Sequence, residues 1–399
     1  MIINLDMVQS LAFAVIILLA GRFLKMRIAL FKQFCIPSPV IGGTAFALFT
    51  LVLKTSGTLE FDFTTTLQGV LMTAFFTTVG FSASFKVLKT GGTKVSIFLT
   101  LAIILVFLQN VIGVGFARVF HINPLIGLST GSVPLTGGHG TSGAFAPIFE
   151  SAGAVGATAV AMATATFGLI AGSMLGGPIG KRLIDKNRLL QKMETLEQNI
   201  PAPVIPERKK TLLNSECFFE GACQVILAMG FGSVISLLLQ YTGIKFPPYL
   251  GAMFAAAIFR NVSDCTGMIK LRSDEISVIG DTSLALFVAM ALMNLKLWML
   301  AELAGPVIAI LIAQTVLMAA FAYYITFNVM GRNYEAAVMA CGHCGFGMGA
   351  TPNAMVNMST LTKQYTAAPT AFFVIPLVGS LFIDFFNAGI ITIFINFFD

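Results

Sequence analysis

Apolar runs of about twenty residues, nearly free of charge, follow one another along this chain. Inside hydrocarbon the backbone must satisfy its own polar groups, so only helices and closed barrels can cross. A barrel would show alternating strands of about ten residues. These runs are continuous, so the reading is an all-α polytopic membrane protein. Charged residues make up 11% of the chain and hydrophobic residues 56%. A soluble domain carries about 25% charged residues, so a soluble enzyme, a disordered chain and a nucleic-acid binder are excluded. The net charge of +6 comes from basic residues that are scattered, with none of the clustering a nucleic-acid groove needs.

Ten spans are expected, near 7–24, 36–53, 67–85, 95–117, 153–178, 217–240, 246–263, 277–296, 302–327 and 368–396. Two apolar, glycine-rich stretches, 123–150 and 336–360, remain between spans. The first span is preceded by Asp6 and followed by Arg22, Lys25 and Arg27, the reverse of a secretory leader. Basic residues concentrate on the cytoplasmic side of membrane proteins. With the N-terminus outside, 20 of the 24 Lys and Arg fall inside, and only Lys54, Arg118, Lys245 and Lys296 fall outside. Both termini are therefore expected outside. Segment 181–216 holds 13 of the 42 charges and reads as a cytoplasmic linker between repeats 1–180 and 217–399.

Five pairs of short segments link the two halves in one order. Ile36-Pro-Ser-Pro-Val-Ile-Gly-Gly43 pairs with Phe246-Pro-Pro-Tyr-Leu-Gly251, and Ala74-Phe-Phe-Thr with Leu286-Phe-Val-Ala. Leu108-Gln-Asn-Val pairs with Ala313-Gln-Thr-Val, Gly138-His-Gly with Gly345-Phe-Gly, and Gly168-Leu-Ile-Ala-Gly172 with Ile375-Pro-Leu-Val-Gly379. The offsets lie between 205 and 212. An odd number of spans per half inserts the second half upside down. Inverted repeats are typical of secondary transporters, whose site lies near the midplane between halves.

Each glycine-rich stretch contains a polar knot: Gly131-Ser-Val-Pro-Leu-Thr-Gly-Gly-His-Gly-Thr-Ser-Gly143 and Cys341-Gly-His-Cys-Gly-Phe-Gly-Met-Gly-Ala-Thr-Pro-Asn353. Glycine costs a helix about 1 kcal/mol against alanine, and non-helical backbone at membrane depth survives only beside protein or a water-filled cavity. The knots are expected to be tips of two re-entrant hairpins, near 123–150 and 336–360, entering from opposite sides. Their bare carbonyls suit a sodium ion, and half-helix N-termini suit a carboxylate. The plainer alternative is close packing through small residues.

These motifs resemble the glutamate:sodium symporter family of bacteria. The resemblance rests on SVPLTGGHGTSGA at 132–144 and CGHCGFGMGATPNA at 341–354. It also rests on IPSPVIGG at 36–43, FLQNVIGVG at 107–115, ATFGLIAGSMLGGP at 165–178 and LFIDFFNAG at 381–389. The resemblance implies sodium-driven uptake of L-glutamate across the inner membrane, no cofactor beyond sodium as coupling ion, and a homodimer of inverted repeats. It also implies an elevator-like transport domain moving against a fixed one.

Candidate substrate- and ion-binding residues in the first knot are Ser132, Thr136, Gly137, Gly138, His139, Gly140 and Thr141. In the second they are Gly342, His343, Cys344, Gly345, Gly347, Gly349, Thr351, Pro352 and Asn353. The spans add Gln109, Asn110, Gln314, Asp384 and Asn387, costly polar groups at membrane depth. Thr141, Asn353 and Asp384 are the sodium candidates. Asp384 and Asn387 share a helix face and read as a cation site or a packing contact. Each histidine is expected either to bond a hairpin carbonyl or to touch substrate. Arg260 is expected to snorkel to the headgroups. Two other functions were weighed. One is a sodium- or proton-coupled carrier of a di- or tricarboxylate. The other is an intramembrane enzyme using His343 and Cys344, which as helix neighbours point about 100° apart and cannot form a dyad.

Overall fold

The computed structural model describes residues 2–34, 36–57, 59–90, 92–190, 214–240, 248–267, 270–295 and 300–398. Most of the linker expected at 181–216, together with Cys35 and the Phe246-Pro247 part of one repeat pair, lies outside the described residues. The linker's first residues belong to a helix that runs on to Lys186.

The fold is nearly all helix. The first part holds α1 (Met7–Arg27), α2 (Ala29–Gln33), α3 (Ser38–Thr55), α4 (Thr66–Ser82), α5 (Phe85–Thr90), α6 (Gly92–Val119), α7 (Pro124–Leu128), α8 (Ser132–Leu135), α9 (Gly138–Ser151) and α10 (Ala157–Lys186). The second holds α11 (Ser215–Gln240), α12 (Pro248–Thr266), α13 (Ser273–Met293), α14 (Leu300–Ala320), α15 (Tyr334–Gly347), α16 (Thr351–Gln364), α17 (Pro369–Leu381) and α18 (Ile383–Phe398). Local chemistry sets several starts. Asp6 accepts the Val8 and Gln9 amides at 2.8 Å while the Gln9 side chain accepts the Asp6 amide at 3.0 Å, a complete capping box. Asn123 and Asn333 cap α7 and α15 in the same way, each accepting one first-turn amide.

Among the described residues, eight helices are long and apolar enough to cross a membrane; counting the pair α17 and α18, bent by 44°, gives nine. The chain is thus a multi-pass membrane protein with fewer clear spans than the ten expected. The shortfall is α12, which carries Arg260 and Asp264 in its last turns. Those two pair with each other at 3.0 Å, so Arg260 is anchored to its own helix. A second departure is a small parallel sheet, Ile2–Leu5 beside Glu60–Phe63, where only helix was expected. It is held by side chains: Phe61 stacks on Phe63 at 5.8 Å, and Phe13 and Phe46 close over both.

Two packing groups position the centre. The helices α3, α4, α12 and α13 pack on one another, with α1 and α11 outside them. The other group is built around α10, which lies against α9 on one side and α15 and α16 on another. Glycines at every fourth position of α10 permit this approach. A Cβ at Gly168 would strike the Met348 carbonyl, and one at Gly172 would lie 2.8 Å from the Cys344 carbonyl. At Gly176 it would lie 2.7 Å from the Cys341 carbonyl. The groups meet through aromatic rings, Phe76 and Phe145 closing on Tyr249 at 4.6 and 5.5 Å.

Candidate functional site

Two interruptions of helix meet at the centre of the molecule. The first hairpin, α7 to α9, breaks at residues 129–131 and again at 136–137. The second, α15 to α16, breaks once, at residues 348–350. The Gly138 Cβ position lies 3.5 Å from the Gly349 carbonyl, which places the two breaks side by side. Gly138 has φ +66°, a left-handed conformation that glycine adopts freely and a side chain resists. The second knot is different. Cys341 to Gly347 is regular helix, the last two turns of α15, so glycine density there does not mark irregular backbone.

The three helices that restart after a break begin without a side-chain cap, α8 at Gly131, α9 at Gly137 and α16 at Ala350. In α16 the free first-turn amide is that of Thr351, since Pro352 has no N–H and the Asn353 amide donates to the Ala350 carbonyl at 3.0 Å. Uncapped first-turn amides carry partial positive charge and attract anions. Gly137, Gly138, Ala350 and Thr351 are half-buried and Pro352 is exposed, whereas Ser132, Thr136, His139, Thr141 and Asn353 are buried. The breaks therefore have a buried polar floor and an accessible rim.

Amide side chains from the long helices hold this floor in a crossed pattern. Gln109 on α6 donates to the Gly347 carbonyl of the second hairpin at 2.7 Å and accepts from the Thr136 hydroxyl at 2.8 Å. Gln314 on α14 donates to the Thr130 carbonyl of the first hairpin at 3.1 Å and to the Gln109 carbonyl at 2.7 Å. Asn110 accepts the Ser132 amide at 2.9 Å. Asn387 accepts the Ser132 hydroxyl at 2.7 Å. Asn353 donates to the Leu169 carbonyl at 2.8 Å and to Ser173 at 3.0 Å.

Several buried polar atoms find no partner among the described residues: Gln314 Oε1, Asn353 Oδ1, Thr164 Oγ1, Asn110 Nδ2 and His343 Nε2. Such atoms are few in folded proteins, and each points to strain, function or a ligand. The residues brought together here include no Lys or Arg. A buried oxygen without a proton to accept suits a hard cation such as sodium, which favours oxygen ligands.

The sequence-derived candidates separate into groups. Gln109, Asn110, Ser132, Thr136, Gln314, Asn353 and Asn387 converge on the breaks, as do Gly137, Gly138, Gly347 and Gly349. Gly140 and Gly342 serve packing: their Cβ positions lie 3.0 Å from Leu284 and 2.7 Å from Met358. Gly345 is closer still, 2.6 Å from the Ala354 backbone. Thr141 packs beside Gly137. Thr351 lies beside Gly379, and Asp384 is half-buried at the start of α18, just beyond the bend. Of the two alternatives expected for the histidines, the bond to a hairpin carbonyl is not made by either among the described residues. His139 pairs with the Thr166 hydroxyl at 3.0 Å and His343 with the Thr326 hydroxyl at 2.9 Å. Cys341 and Cys344 are free and buried, with apolar surroundings. Sequence reading overlooked Thr130, Thr164, Thr166 and Ser173. It also overlooked Asn357, which bonds the Gly172 carbonyl at 2.9 Å. Asn357 was findable, since it repeats Asn353 one turn later on the same face.

A multi-pass helical protein whose interrupted hairpins meet at a buried, cation-free polar centre belongs to the transporter class rather than to the enzymes. A family model described as sodium/glutamate symporter matches residues 3–367. The sodium/glutamate symporter of Escherichia coli K12 is 40% identical over 393 residues, 98% of each chain. That of Haemophilus influenzae is 38% identical over 388 residues, 96% of each. The chain belongs to the sodium/glutamate symporter family.

Proposed function

We propose that this protein is a symporter that couples L-glutamate uptake to sodium entry by alternating access. Family membership supports the substrate and the ion. The observation that carries the mechanism is the pair of uncapped helix N-termini, at Gly137 and Ala350, beside each other where Gly138 approaches the Gly349 carbonyl; Gln314 and Asn353 add spare amide oxygens. The N-termini receive carboxylate, and the oxygens receive sodium. Because no Lys or Arg shares this centre, bound sodium supplies the charge that holds the anion, and occupancy of one site favours the other. The proposed sodium ligands are Thr141, Asn353 and Asp384, with the Gln314 side-chain oxygen added.

The same reading makes the halves 1–180 and 217–399 inverted repeats of five spans each, with α12 as a short span. The hairpins are re-entrant, from outside in the first half and from inside in the second. Both termini lie outside and the linker lies in the cytoplasm of a bacterial inner membrane. Two protomers pair through the α3, α4, α12 and α13 group. The group around α10 moves, elevator-like, carrying both hairpins.

Vesicles containing the purified protein test this directly. Labelled glutamate should accumulate with an inward sodium gradient and stop when that gradient is collapsed. Accumulation driven by a proton gradient alone, or of citrate instead of glutamate, would overturn the reading in favour of another organic-anion carrier.

A further inference from the structure

His343 lies one turn before the second break and is completely buried. Its ring stacks on Phe346 at 5.0 Å with the planes 13° apart, and Phe98 and Phe321 close at 4.8 and 5.7 Å. Nδ1 meets the Thr326 hydroxyl at 2.9 Å. Three phenylalanine rings thus enclose the imidazole.

Thr326 ends a π-helical turn, Phe321–Thr326, that continues α14. Such turns are rare and gather at functional positions. The wider turn explains the contact. Buried helix threonines such as Thr77 and Thr392 return their hydroxyl proton to the carbonyl four residues earlier, at 2.7 and 2.8 Å. For Thr326 that carbonyl belongs to Ala322; in the π turn it accepts the Phe327 amide, five residues on, and so is turned away from the Thr326 side chain. The hydroxyl is released to donate to Nδ1. This hydrogen-bond assignment leaves the ring proton on Nε2, the atom with no polar partner, against aromatic faces that accept N–H weakly.

The other side of the ring bears on the break. A Cβ at Gly347 would lie 3.5 Å from His343 Cδ2, 2.8 Å from Leu105 and 2.9 Å from Met318. Gly347 is thus wedged between this ring and α6. Its carbonyl is the one Gln109 holds at 2.7 Å and Thr136 approaches at 3.3 Å. A contiguous set of contacts runs from the π turn through His343 to the junction of the two hairpins.

We propose that His343 is a positioning residue: with Thr326 it sets the Gly347 carbonyl at the hairpin junction, and it governs the rate at which the loaded carrier changes state rather than its affinity for glutamate or sodium. This rests on the symport reading above. The hydroxyl is the active element on Thr326, so serine replaces it and valine does not.

The test is a set of variants in sodium-driven uptake, normalised to protein in the membrane. Thr326→Val should lower the maximal rate about tenfold, the effect of leaving one buried partner unsatisfied. Half-saturation by glutamate and sodium should stay within about twofold of wild type, the scatter of a site left intact. Thr326→Ser should retain the wild-type rate. His343→Phe should match Thr326→Val, and the double variant should be no slower than the worse single one. Thermal unfolding of the purified variants should show the same non-additivity, whether or not the protein carries glutamate. Failure of wild-type uptake would therefore overturn the symport reading alone. A silent Thr326→Val, additive unfolding shifts, or a His343→Phe variant whose half-saturation rises about tenfold at unchanged maximal rate would overturn the positioning role.

Discussion

The two hairpins use glycine for opposite purposes. In the first, Gly138 supplies a conformation: φ is +66° and its Cβ position is open, the nearest atom being 3.5 Å away. In the second, Gly345 supplies proximity: it is ordinary helix, but a Cβ there would lie 2.6 Å from the backbone of Ala354 across the hairpin. The first hairpin turns gradually through the short helices α7 and α8, whereas the second turns in three residues and needs its legs pressed together. The same letter in the sequence therefore marks a loose bend in one half and a tight seam in the other.

This contrast can be broken by substitution. The largest effect is expected from Gly345→Ala. The seam must open by tenths of an ångström against backbone, an overpacking of about 1–3 kcal/mol. Uptake should be nearly abolished and the melting temperature lowered. Gly138→Ala should be intermediate, since a left-handed residue costs roughly 1–2 kcal/mol without a clash. Gly138→Asn should recover part of that loss because asparagine tolerates this region. If asparagine rescues position 345 as well, the distinction between conformation and proximity fails.

Next in size is Gln109→Leu, which strips a partner from both Gly347 and Thr136. The lost hydrogen bonds together cost about 1 kcal/mol net. Measured half-saturation by sodium should rise, and Thr136→Val combined with it should add little, since the two share one interaction. Smallest is Gly230→Ala on α11, where nothing lies within 4 Å of the new methyl group. It should raise the melting temperature slightly, by up to about 1 kcal/mol of stability. A loss of uptake there would mean that α11 takes part in the moving surfaces.

Much of the architecture was legible because apolar length is an unambiguous signal. The expected spans at 95–117 and 277–296 correspond to α6 and α13, with ends shifted by a few residues. The amides Gln109, Asn110 and Gln314 were legible for a similar reason: polar groups inside apolar helices stand out. The exact place of the second break was not. Glycine frequency suggested Gly345, and the structure puts the turn at 348–350. No local pattern separates glycine chosen for its backbone from glycine chosen for its missing side chain. The π turn and the Thr326 contact were likewise hidden, because nothing in Phe-Ala-Tyr-Tyr-Ile-Thr departs from ordinary helix composition. The strand pair at Ile2–Leu5 escaped because four residues are too few for a periodicity.

The crossed amides have a consequence for what the smallest working unit of this molecule is. Gln109 secures a turn encoded 238 residues later, and Gln314 secures one encoded 184 residues before it. Asn110 holds the Ser132 amide within its own stretch, but the Gly347 and Thr130 carbonyls each depend on the other one. Cut apart, each would be a lock holding the other's key, so neither crossed bond forms until both stretches of chain are in place.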